Sequence, residues 1–123
     1  MATFTKLTLQ PSGATGDGVG ILVAATATPG TAIHTASSTA TDIDEVWLYA
    51  VNYDTTARKL TVQFGGTTAG TNDIELTIPA EGGLVLVTPG LPLQGNATPK
   101  VVRAFAATGT AIVIYGYVNR ISA

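Results

Sequence analysis

One histidine, eight acidic residues and a few aromatic rings are the side chains of this 123-residue chain whose types suggest chemistry. His34 lies between Ile33 and Thr35 in a short, weakly patterned run. A nucleophilic hydrolase site would set such a histidine between a hydroxyl and a carboxylate. With 21 threonines hydroxyls are abundant, but no spacing ties one of them to His34, so a solvated or interfacial histidine is expected. A histidine-based metal centre needs further nitrogen or sulfur ligands, and the chain has no second histidine and no cysteine. No catalytic, metal-binding or cofactor-binding residue is expected, and no cofactor.

The remaining candidates each have a plainer reading. Asp42-Ile43-Asp44-Glu45 offers hard oxygen ligands, but it lacks the spacing of a calcium loop and runs straight into a strand, so a solvated loop end is expected. Asp73 and Glu75 alternate along one strand, where two acids on one face form a wet side rather than a catalytic cleft. Glycines at 13, 16, 18 and 20 lack the Lys-Ser/Thr ending and the following helix of a phosphate loop, and read as flexible linker. Asn96-Ala97-Thr98 matches a glycosylation sequon but is followed by Pro99. Trp47, Tyr49 and Tyr53 share one strand face and are able to stack a sugar, although core packing is the expected role at mid-strand.

Short strands must position all of these groups. From Val46 to Tyr53 the side chains alternate, with Trp47, Tyr49, Val51 and Tyr53 on one face and Val46, Leu48, Ala50 and Asn52 on the other. Both faces are mostly apolar, which predicts a central strand covered on both sides. The bend Asp54-Thr55-Thr56-Ala57 then leads into Leu60, Val62 and Phe64 alternating with Lys59, Thr61 and Gln63, and the two runs read as a β-hairpin. Ile74, Leu76 and Ile78 alternate with Asp73, Glu75 and Thr77. Leu84 to Val87 is apolar and Thr88-Pro89-Gly90 reads as a turn. Leu91-Pro92-Leu93 is too rich in proline for anything but an edge. Val101 to Ala106 and the long run AIVIYGYVNRI complete the series, and Gly116 inside the latter marks a bulge or a close backbone approach.

No segment carries a helical period of ten residues or more. The expected fold is all-β: a single-domain antiparallel β-sandwich, jelly-roll-like, over residues 21–123, preceded by an extended N-terminal arm over residues 1–20. In that arm Phe4, Lys6 and Thr8 alternate with Thr5, Leu7 and Leu9 as a short edge strand.

Composition narrows the function classes. Charged residues are 11% of the chain, and the net charge is −2. An ordinary soluble domain carries about 25% charged residues. The six basic residues are scattered, whereas nucleic-acid binding calls for a clustered basic footprint. The longest apolar run, Ile21 to Ala25, is far short of a membrane span, and no secretory leader is expected. A neutral, threonine-rich surface costs little to desolvate, which suits a subunit contact.

The order DEVWLYAVNYDTTARKLTVQFGG, then DIELTIPAEGGLVLVTPGLPLQG, then VVRAFAATGTAIVIYGYVNRI resembles the small structural proteins of tailed bacteriophages. It is most similar to their capsid decoration, or cement, proteins, over roughly residues 42 to 121. The resemblance implies a non-enzymatic virion protein on the outer surface of the capsid, synthesised in the host cytoplasm, that stabilises an icosahedral shell by bridging major capsid protein subunits. It also implies a homo-oligomer, a trimer in the first instance, with no nucleic-acid or membrane partner. In this setting Phe4, Leu7 and Leu9 of the arm are the expected partner-binding residues. The alternatives are a phage tail or head–tail connector component, or a carbohydrate-binding jelly-roll module using Trp47, Tyr49 and Tyr53. The terminal run from Thr110 to Ile121, with Arg120 as its one charge, is expected to be central in a sheet or covered by a partner subunit.

Overall fold

A computed structural model of the chain describes residues 2–13 and 16–123; the glycine-rich linker reading extends over residues 14 and 15, which lie outside the described residues. It is an all-β sandwich without helices among the described residues. The strands are β1 (Thr3–Thr8), β2 (Ile21–Leu22), β3 (Thr31–Thr35), β4 (Ile43–Asn52), β5 (Arg58–Phe64), β6 (Asp73–Ile78), β7 (Val85–Gln94), β8 (Val101–Ala106) and β9 (Ile112–Ser122). They form two antiparallel sheets, one in the order β1-β9-β4-β7 with β2 also on β9, the other in the order β3-β8-β5-β6. We call these sheets A and B.

Alternation explains the core. Val46, Leu48, Ala50, Ile112, Ile114 and Val118 point inward from sheet A, and Ile33, Leu60, Val62, Ile78, Val102 and Ala104 from sheet B, all buried. Two sheets facing each other across such a layer bury one face of every strand.

The expected hairpin is not formed. β4 pairs with β7 and β9, and β5 pairs with β6 and β8, so the bend after Asn52 carries the chain from one sheet to the other as an arch. Asn52 builds the crossing: its Nδ2 donates to the carbonyls of Thr56 and Ile78, and its Oδ1 accepts the Asp54 N–H. The connecting residues contain no Asn-Gly or Asp-Gly pair of the kind that favours a tight hairpin turn. β7 also differs from expectation. Thr88-Pro89-Gly90 does not turn the chain; the strand runs on to Gln94 with two register shifts against β4. It lies at the edge of sheet A, where Pro89 and Pro92 cost no ladder hydrogen bond.

The N-terminal segment belongs to the sandwich. β1 pairs with β9 over its whole length, from Thr3 with Ser122 to Thr8 with Tyr117. Leu9 is a core residue, and Gln10 accepts a hydrogen bond from the Thr35 N–H of β3. The first strand therefore sits on sheet A while the residues after it stitch to sheet B. β9 lies between β1 and β4 and is central, one of the two arrangements expected for it.

On β6, Leu76 faces the core opposite Leu60, while Glu75 is on the outer side in an ion pair with Lys59 at 2.9 Å. Leu76 is only partly buried, so Leu76→Ala is expected to cost about 2 kcal/mol, the low end for such truncations. Glu75→Ala is expected to stay within about 0.5 kcal/mol, because an exposed ion pair contributes little. Chemical denaturation of both variants checks the strand's register; reversed costs would contradict it.

Candidate interaction face

The outer sides of the two sheets differ in kind. The outer side of sheet B is polar: Lys59, Glu75 and Thr77 are exposed on it, Asp73 and Arg103 are half-buried and Thr61 is buried, with Phe105 and Val101 between them. Gln63 is sealed there, its Oε1 accepting the Gly30 N–H and its Nε2 donating to Thr28 Oγ1.

Sheet A shows an apolar, aromatic side. Cross-strand pairs between β4 and β9 on its outer face are Ile43 with Ile121, Glu45 with Asn119, Trp47 with Tyr117, Tyr49 with Tyr115, and Val51 with Val113. β1 adds Phe4 and Lys6, and β7 adds Leu86, Pro89 and Pro92. Phe4 is 71% exposed, Leu86 47% and Tyr115 41%. Isolated exposed apolar residues are ordinary, but a contiguous apolar patch marks a contact surface.

The rings form a ladder across the sheet. Trp47 and Tyr117 stack with centroids 6.0 Å apart and planes 10° from parallel. On the β1 side, Lys6 Nζ lies 4.8 Å from the Tyr117 ring centroid. On the β7 side, Gly90 presses against Trp47: a Cβ there would fall 2.9 Å from the indole Cε2. Gly90 has φ +72°, a conformation that a side chain rarely adopts, so both its backbone and the indole call for glycine. The contact also closes over the indole Nε1–H, which is buried without an acceptor.

The faces of Trp47 and Tyr117 are thus taken by neighbours, and their edges point outward. A sugar stacks on an open ring face, which this ladder does not offer. The expectation that Trp47, Tyr49 and Tyr53 pack in a core is also corrected. Trp47 and Tyr49 are half-buried on the outer face of sheet A, and Tyr53, beyond the end of β4, is 83% exposed. Mid-strand position does not distinguish an inner face from an outer one when both are apolar.

His34 is neither solvated nor interfacial in this chain. It is fully buried, and its Nδ1 accepts the Gln10 N–H at 3.2 Å while Nε2–H donates to Asp44 Oδ2 at 2.8 Å. Arg120 grips the same carboxylate, Nε to Oδ1 at 2.7 Å and Nη2 to Oδ2 at 2.9 Å. Burial pushes the Asp44 carboxyl up, but the hydrogen bonds from Arg120 and His34 outweigh it and hold the group below 3.8. The Asp44 contact in turn raises the Arg120 guanidinium. Both imidazole nitrogens are used and neither meets a hydroxyl, since Ser37 Oγ donates instead to Asp42. The cluster joins β3 of sheet B to β4 and β9 of sheet A and to the root of the N-terminal segment, so it acts as a polar bolt across the sandwich.

Asp44 was expected at a solvated loop end. Its sequence position two residues before Val46 places it on the inner face with Val46, Leu48 and Ala50, a signal that the acidic run around it masks. Of the arm residues expected to bind a partner, Phe4 is exposed on the sheet A face, Leu7 is half-buried opposite Val118, and Leu9 is 6% exposed within the chain's own core. Among the described residues no three His, Asp or Glu gather to hold a metal ion, and no helix is long and apolar enough to cross a membrane.

No family model, no curated protein and no solved structure matches the chain.

Proposed function

We propose that this chain is a non-enzymatic structural protein that works by assembly, and that its setting is the virion of a tailed bacteriophage, where it decorates and stabilises the capsid. The carrying observation is the contrast between its outer faces: sheet A offers a mostly apolar, aromatic surface, while the exposed residues of sheet B, Lys59, Glu75 and Thr77, are polar. A protein that works by assembly buries one face against a partner and keeps the other solvated. A nearly neutral contact surface avoids the like-charge repulsion that repeated docking would accumulate. The phage setting rests on the resemblance in the order of its strand and turn segments. As a working unit we propose a homo-oligomer that bridges major capsid protein subunits.

The test is to incubate the purified chain with undecorated capsids of tailed phages. Stoichiometric binding that raises the shells' resistance to heat or chelator is the expected result. Shells that neither bind the chain nor gain resistance would overturn the capsid role.

A further inference from the structure

We infer that the outer face of sheet A is occupied by a second copy of this chain, packed sheet on sheet about a two-fold axis that runs along the strands between β4 and β9. The inference rests on the assembly reading above and names the partner of its contact face.

The pattern of the face is the first reason. Going along β4 and β9, its cross-strand pairs are Ile–Ile, Glu–Asn, Trp–Tyr, Tyr–Tyr and Val–Val. Each outward residue of β4 therefore has a chemical counterpart at the same level on β9. A two-fold axis along the strands lays β4 of one copy over β9 of the other. Tyr49 then meets Tyr115, Val51 meets Val113, Ile43 meets Ile121, and the Glu45 carboxylate meets a donor in the Asn119 carboxamide. An isologous contact requires a self-complementary patch of this kind.

Charge is the second. The outer face of these strands carries one cation, Lys6, and one anion, Glu45, both level with Asn119. The face is neutral as a whole, and the proposed axis lays Glu45 of one copy over Asn119 of the other, with that copy's Lys6 on the next strand.

Size is the third. The ten residues of β4 at about 3.3 Å each, and the four strands β1, β9, β4 and β7 about 4.8 Å apart, give a face of about 33 by 19 Å, or roughly 600 Å² in projection. Side-chain relief adds to that figure, and specific interfaces bury about 800 Å² per partner. The outward ring edges of the Trp47–Tyr117 ladder suit packing against a second flat sheet, the geometry by which sheets A and B already meet.

Sedimentation equilibrium of the full chain over roughly 1 to 100 μM, with acrylamide quenching of Trp47 on the same samples, tests the inference. Trp47 is the chain's only tryptophan and sits mid-face. The expected result is a mass of about 25 kDa, twice 12.5 kDa, with quenching that falls as the dimer forms. Tyr115→Lys is expected to weaken association about tenfold or more, because a charge is then desolvated in an apolar contact. Mixing Tyr115→Lys with Tyr49→Asp should restore it, since the two positions face each other across the proposed axis. Lys59→Glu, on sheet B, should leave the mass unchanged. Melting curves confirm that each variant folds.

A monomer throughout the range, a three-copy mass, or a dimer whose Trp47 quenching does not change would each overturn the inference. If the chain stays monomeric yet binds undecorated shells, the dimer fails and the capsid role stands. If it dimerises but binds no shell, the capsid role fails alone.

Discussion

Asp44→Ala is expected to destabilise the fold by about 3–5 kcal/mol, the cost of removing one partner from a buried charge network. The loss strands two groups at once. Arg120 keeps its charge without its paired carboxylate, and the Nε2–H of His34 keeps no acceptor in a site closed to solvent. Asp44→Asn should fall between wild type and alanine, since the amide oxygen still accepts one hydrogen bond but carries no charge. Urea denaturation at neutral pH measures both. A cost for Asp44→Ala below about 1 kcal/mol would mean that the bolt contributes no more than a surface ion pair.

The same cluster gives the stability a pH dependence of definite sign. The Asp44 carboxyl is held below its ordinary value of 3.8 in the folded state. A depressed carboxyl contributes stability that is fully present above the unfolded value and is lost as pH falls through the folded value. Asp54 is lowered too, chiefly by its hydrogen bond from Arg58, and acts in the same direction. Denaturation midpoints should therefore drop below about pH 4. In Asp44→Asn the drop should be shallower than in wild type.

Gly116→Ala is the second large effect expected, at or above the upper end of the roughly 1–3 kcal/mol typical of overpacking. Gly116 pairs with Leu48 in the middle of the β4–β9 ladder, and a Cβ built on it would lie 2.1 Å from the Trp47 carbonyl oxygen. The obstacle is backbone, so no rotamer change relieves it, and the central pair of strands in sheet A must separate. Thermal unfolding of the variant checks this, and a melting temperature within a degree or two of wild type would contradict the close approach. The substitution should also disturb the Trp47–Tyr117 stack next to it, visible in the near-ultraviolet circular dichroism.

The strands themselves were legible because β-forming pattern is a local property: β6 and β8 match the expected runs, β5 and β9 match within one residue at each end, and β4 starts three residues earlier than expected. The close approach at Gly116 and the edge placement of Leu91-Pro92-Leu93 were legible for the same reason, each resting on what one residue type does to a strand. Which sheet a strand joins was not. The bend after Asn52 reads alike for a hairpin and for an arch, and what decides between them is a set of partners far away in the chain: β7 and β9 for β4, β6 and β8 for β5. Nor was the polar bolt legible, because it joins residues 10, 34, 44 and 120, which share no local pattern. Asp44 alone carried a hint, in its parity with Val46 and Leu48. The aromatic face was visible as a face, but its direction was hidden, since β4 is apolar on both sides and only the sandwich tells inner from outer.

Radical footprinting of aromatic side chains tests most directly the claim that sheet A is the contact side of this protein. Oxidation rates are compared between dilute chain and the assembled state, whether concentrated protein or decorated shells. Tyr49 and Tyr115 on sheet A should become protected on assembly, while Phe105 on sheet B and Tyr53 beyond the end of β4 keep their rates. Unchanged rates at Tyr49 and Tyr115, or protection of Phe105 in their place, would contradict the claim.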